Sequence, residues 1–143
     1  MSRMATGALS VVVALAACTD RTGTDDLSMS VSTTRLSLTP TQTATIRFSA
    51  QNLTDRVIAV HFANACRFTY EVRDAAGVVA DGTPAGACSG PALTVDIPPF
   101  GVLIDSVPWP SASSRPAAGH YALRGFLGDD RRRTAGPLTI VLE

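Results

Sequence analysis

The segment Phe68-Thr-Tyr-Glu-Val-Arg73 decides the fold class. Phe68, Tyr70 and Val72 alternate with Thr69, Glu71 and Arg73, so every second side chain is apolar and the others are polar or charged. In an extended chain successive side chains point to opposite faces. The pattern therefore describes a strand with one buried and one wet face, as in antiparallel sheets. The same period of two extends outward in both directions. Upstream it runs through Leu27, Met29 and Val31, through Arg35–Leu38, through Ala44, Ile46, Phe48 and Ala50, and through Ile58, Val60 and Phe62. Downstream it returns at Leu93, Val95 and Ile97, then in "GVLIDSVPW" (101–109), "HYALRGFL" (120–127) and "PLTIVL" (137–142).

The interruptions carry turn chemistry. "NLTD" (52–55) and "DAAG" (74–77) supply Asn, Asp and Gly, which accept tight or left-handed backbone. "DGTPAGACSGPA" (81–92) is rich in Gly and Pro and predicts a long loop. With a strand every ten residues or so and no sustained helical period, the expectation is an all-β, antiparallel β-sandwich of seven to eight strands, immunoglobulin-like in architecture. A length of 143 residues suits one domain.

The first residues have another logic. Arg3 precedes the small and apolar run "ATGALSVVVALAA" (5–17), which is too short to cross a bilayer comfortably and reads as a secretion signal. Its end, Leu15-Ala16-Ala17-Cys18, resembles the lipobox of bacterial lipoprotein precursors. That resemblance implies a diacylglycerol on the Cys18 thiol, cleavage before it, and acylation of the new amino terminus, the palmitate-type modification of such proteins. Two or more acyl chains anchor a protein stably, whereas one does so only marginally. The expected organisation is a lipoprotein signal peptide over 1–17, a lipidated tether over 18–26, and the sandwich over 27–143. The expected address is the bacterial cell envelope. Thr19, not Asp, follows the cysteine, which by the same resemblance implies the outer membrane where the cell has two.

The processed chain would carry 11 Arg, no Lys and 12 acidic residues. That balance argues against a nucleic-acid binder, which shows a basic face. Of three cysteines, Cys66 and Cys88 remain after lipidation, an even pair in an exported chain, and a disulfide between them is the favoured reading. Two free thiols or a metal site are the other readings. Only His61 and His120 stand beside these cysteines as ligands, and the cysteines lack the close C-x(2–4)-C spacing of zinc sites.

Four segments in order resemble the BsuPI-type domain, a family named after an intracellular proteinase inhibitor. They are Asn-x-Thr-Asp at 52–55 between two strands, "RFTYEVRDAAGVV" (67–79), "PPFGVLIDSVPW" (98–109) and "PAAGHYALRGFL" (116–127). The resemblance covers roughly residues 28–128 and implies an immunoglobulin-like sandwich. It departs at "ADGTPAGACSG", where the family often has an aromatic, and in the export signal, since the named member is cytoplasmic. The fold carries over from it, and no site residue does. Within the last segment, Ala118-Gly-His-Tyr121 resembles the tyrosine corner of such sandwiches; an ordinary core tyrosine is the other reading.

Catalytic chemistry is sparsely supplied. Ser89 lies in "ACSGP", not in G-x-S-x-G. His61 and His120 read as solvated, and the adjacent pairs Asp25-Asp26 and Asp129-Asp130 point apart in extended backbone. No phosphate-cradling glycine loop, metal set or cofactor motif appears. The expectation is a non-enzymatic, monomeric binding or structural module, tied to the membrane by its lipid, with an unidentified protein or envelope partner. The alternative is proteinase inhibition through an exposed loop around 81–92. Candidate contact positions are Arg56 after "NLTD", Pro84 in the cysteine loop, and Arg131, Arg132 and Arg133 in "GDDRRRTAG" (128–136), expected as a solvated hairpin tip.

Overall fold

A computed structural model describes residues 26–111, 114–129, 131 and 133–143. The stretch expected as a signal peptide (1–17), the expected tether before Asp26 with Cys18, and Arg132 lie outside the described residues. The described chain is all-β: β1 (Leu27–Thr33), β2 (Ser37–Leu38), β3 (Ala44–Asn52), β4 (Ile58–Phe62), β5 (Phe68–Arg73), β6 (Val79–Gly82), β7 (Leu93–Ile97), β8 (Val102–Trp109), β9 (Gly119–Leu127) and β10 (Thr134–Leu142). One sheet has the order β1-β3-β8, a second β2-β10-β9-β5-β6, and β4 and β7 form a pair.

The core lies between these layers. It takes Ile46, Phe48 and Trp109 from the three-stranded sheet, Phe68, Val72, Leu123 and Ile140 from the five-stranded sheet, and Val60, Phe62 and Ile97 from the β4–β7 pair. Phe48 stacks on Phe68 and Tyr70 at centroid distances of 6.0 and 6.1 Å. It approaches β9 so closely that a Cβ at Gly125 would stand 2.6 Å from its ring, so that strand position has room only for glycine.

The β4–β7 pair continues the β3–β8 ladder. That ladder runs to Gln51↔Val102, Asn52 N donates to Gly101 O at 2.9 Å, and antiparallel pairing resumes at Ile58↔Ile97. The two pairs are one ribbon bent at a corner made by residues 53–57 and 98–101. Bent strands of this kind let one ribbon cover two sides of a sandwich core.

The expected immunoglobulin-like sandwich is present, with differences in detail. Ten strands occur among the described residues, not seven or eight. β6 takes residues 79–82, partly from the stretch read as the 81–92 loop. It is an edge strand held by hydrogen bonds to β5, and Val79 is exposed, so no buried face marks it in the sequence. β2 is only two residues long and pairs parallel to β10, the one parallel pairing among the described strands. β10 begins at Thr134 rather than 137, because a bulge between Ala135 and Leu138 carries Gly136-Pro137 without ending the pairing.

Tyr121 makes the corner its sequence suggested. Its hydroxyl donates to Ala117 O, four residues upstream, at 2.7 Å. The ring packs edge-on against buried Trp109 at 5.9 Å, and the indole N–H donates to Asp81 Oδ2 at 2.9 Å. Each aromatic thus keeps its apolar body inside and its polar group paired.

Candidate functional site

Three places concentrate polar chemistry: the ribbon corner, the cysteine loop and the β9–β10 hairpin tip. At the corner Asn52 is wholly buried, the last of the inward positions Ala44, Ile46, Phe48, Ala50 and Asn52 along β3. Its Oδ1 accepts from Thr54 N at 2.8 Å and from Thr54 Oγ1 at 2.7 Å. Its Nδ2 donates to Arg56 O at 2.7 Å, Pro98 O at 3.0 Å and Ile97 O at 3.1 Å. One amide therefore ties both connections of the bent ribbon and satisfies backbone groups that the missing ladder leaves behind. The turn expected at 52–55 is there. The buried clamp was not foreseen, although an Asn on the inward period of a strand is the signal that finds it. The Arg56 side chain is exposed and meets Asp26 at 3.3 Å, an ion pair that adds little in water.

The cysteine loop is stapled as expected: Cys66 and Cys88 are disulfide-bonded, with Cα atoms 5.0 Å apart. Thr83 exchanges two further bonds with β5, donating N–H to Tyr70 O at 3.0 Å and accepting Tyr70 N–H on Oγ1 at 2.8 Å. Beyond it the backbone coils through successive tight turns, Ala87 N to Pro84 O at 3.1 Å and Ser89 N to Gly86 O at 3.2 Å. Pro84 is exposed on this loop. Between the loop and the five-stranded sheet lies an open groove of about 430 Å³, lined by Thr69, Glu71, Thr83, Pro84, Cys88 and Phe126 among others. Glu71 pairs with Arg73 on its own strand. Burial, and after it the Asp81 carboxylate, push the Tyr70 hydroxyl above its ordinary value.

At the hairpin tip Leu127 N donates to Arg133 O at 2.8 Å, and the Arg133 guanidinium binds Asp129 with side chains only 13% and 7% exposed. The expected solvated tip is thus corrected in part. Arg131 is exposed, but Asp129 and Arg133 fold inward against β4, and Asp129 Oδ1 has no hydrogen-bond partner among the described residues. A cavity of about 200 Å³ opens beside them, with Asp26, His61 and Arg131 at its rim. His61 is exposed and its Nδ1 shares a 2.8 Å hydrogen bond with Thr94 Oγ1 across β4–β7. Ser89, His61 and His120 stand on different elements: the cysteine loop, β4 and β9. Among the described residues no group of three or more His, Cys, Asp or Glu is placed to hold a metal ion, and no helix is long and apolar enough to cross a membrane.

No family model and no curated protein matches the chain. Solved structures do share its shape. The C-terminal domain of wzt superposes with a TM-score of 0.50 at 12% identity, over 85% of this chain and 75% of that one. The CARDB domain of a Pyrococcus furiosus protein gives 0.47 at 11% identity, over 82% of this chain and 88% of that one. A β-glucosidase from Erythrobacter marinus gives 0.47 at 13% identity, and there the matched region spans only 15% of the larger protein. At 12% identity the likeness to the wzt domain describes the fold alone.

Proposed function

We propose that this chain is a lipid-anchored envelope protein whose folded part is a non-catalytic, immunoglobulin-like binding or structural module. The observation that carries this reading is Leu15-Ala16-Ala17-Cys18 closing a short apolar run, with β1 opening nine residues later at Leu27. A brief polar tether then separates a membrane-held cysteine from a sandwich stapled by a disulfide, a bond suited to chains exported into oxidising compartments. A partner has a prepared surface in the groove beneath the cysteine loop. Its wall is fixed by Cys66–Cys88 and by the paired Thr83–Tyr70 bonds, so little ordering cost falls on binding.

Proteinase inhibition through the same loop is less well supported. A protease cleft takes an extended segment, whereas residues 84–89 are coiled into turns. The test of the main reading is the intact mass of the protein from native membranes, before and after reduction and alkylation. A chain beginning at Cys18, heavier by a diacylglycerol and an acyl chain and alkylated at Cys66 and Cys88 only after reduction, is the expected result. A chain beginning at Met1 with free thiols would overturn it.

A further inference from the structure

Four of the large hydrophobic side chains exposed among the described residues sit at the ribbon corner. Phe100 is 63% exposed, Val57 56%, Val102 47% and Leu53 46%, although all four flank the turn pair that Asn52 clamps. Phe100 also holds a backbone φ of +55°, a left-handed conformation that bulky side chains avoid. It is fixed there by Phe100 N to Thr54 O at 3.1 Å and Gly101 N to Pro98 O at 2.9 Å. The chain thus accepts backbone strain to hold an aromatic ring out of the core at a rigid tip, and strained residues of this kind cluster where function demands them.

The same corner is where the tether enters the domain. Leu53 N donates to Asp26 O at 2.8 Å, and Arg56 meets the Asp26 carboxylate. Seven residues lie between Cys18 and Asp26, so eight steps of chain reach at most about 28 Å when fully extended. We propose that this corner is a second membrane contact: Phe100, Leu53, Val57 and Val102 dip into the boundary between headgroups and acyl chains of the bilayer that holds the lipidated Cys18. This inference rests on the lipid anchor proposed above.

The occupant follows from the tether and from the chemistry of the tip. A domain on so short a tether keeps its entry corner beside the bilayer. Aromatic and aliphatic side chains gain free energy on leaving water for that interface, and an anchored chain meets it at high local concentration. Arg56 is placed to meet a lipid phosphate. Asp26 and Asp55 stand in the same region, so the contact is driven by the apolar residues and depends only weakly on lipid charge. The domain would then stand on its corner, not swing freely on its tether.

The test uses the full lipidated chain, with F100W as reporter and V57W as a second, in nanodiscs made with and without lipids brominated along the acyl chain. Trp109, the one native tryptophan, is buried in the sandwich and gives an unchanging background. Blue-shifted emission from both reporters, quenched by brominated lipid, is expected. Emission like that of the reporters in free solution, unquenched while the lipidated chain stays bound to the disc, would overturn the inference and leave the anchor standing. A chain whose mass shows no lipid on Cys18 would sink the anchor, and the inference with it.

Discussion

The ribbon corner and the cysteine loop are both irregular connections, yet they are held by opposite means. The corner is fixed from inside, by a buried amide that bonds five times to residues 54–98 and sits on the core face of β3. The loop contributes no buried residue between 83 and 92 and is fixed from outside, by a covalent bond. Where a connection crosses the core, polar satisfaction locks it at the cost of one buried side chain. Where it lies on the surface, with no apolar area to bury, a covalent staple and the Thr83–Tyr70 bonds shorten its list of conformations. The first device acts inside the folded core, whereas the second acts mainly on the unfolded chain.

That contrast can be broken at several levels. Asn52→Ala should have the largest effect. It takes the amide donor from the Ile97 and Pro98 carbonyls and the acceptor from the Thr54 N–H, leaving Arg56 O with only the Thr54 hydroxyl, for a loss of about 4 kcal/mol and a melting point lower by about 10 °C or more. Replacing Cys66 and Cys88 together by serine should cost about 3 kcal/mol through the freed unfolded chain, while the circular dichroism of the folded state stays unchanged. Equal losses of native structure in the two variants would erase the distinction. Thr54→Val removes the hydroxyl shared between Asn52 Oδ1 and Arg56 O but keeps the N–H bond to Asn52, and should cost about 1 kcal/mol, visible as a small shift in the denaturant midpoint.

The smallest effect is one of pH. Tyr70, beside the loop, has its hydroxyl pushed above the ordinary 10.0 by burial and by Asp81. Its contribution to stability is whole below pH 10 and is lost as pH rises through the higher folded value. Tyr70→Phe should therefore lessen the fall of the melting point above pH 10, and thermal melts of the two proteins across that window check it.

Much of this was legible before any coordinates. The inward period of β3, β5 and β9 was plain in the sequence because those strands bury one face, and Tyr121 was plain because Gly119 and the late strand frame it. β6 was hidden because an exposed edge strand owes its existence to β5 and not to burial. The site was harder to read. Arg133 looked like one of three solvated cations, but turning Asp129 inward depends on how the hairpin tip meets β4, a long-range event without a local signature. Asn52 was legible as a turn former. Its role as clamp required Ile97 and Pro98, which lie 45 and 46 positions away.

Amide hydrogen exchange on the intact chain, oxidised and then reduced, tests the difference between the two regions most directly. Reduction should release the amides of Ala87 and Ser89 in the folded state, while those of Asn52, Phe100 and Gly101 lose no more protection than the fall in global stability accounts for. Opening of the corner together with the loop in the folded state would contradict the account, since the staple would then be holding the sandwich itself.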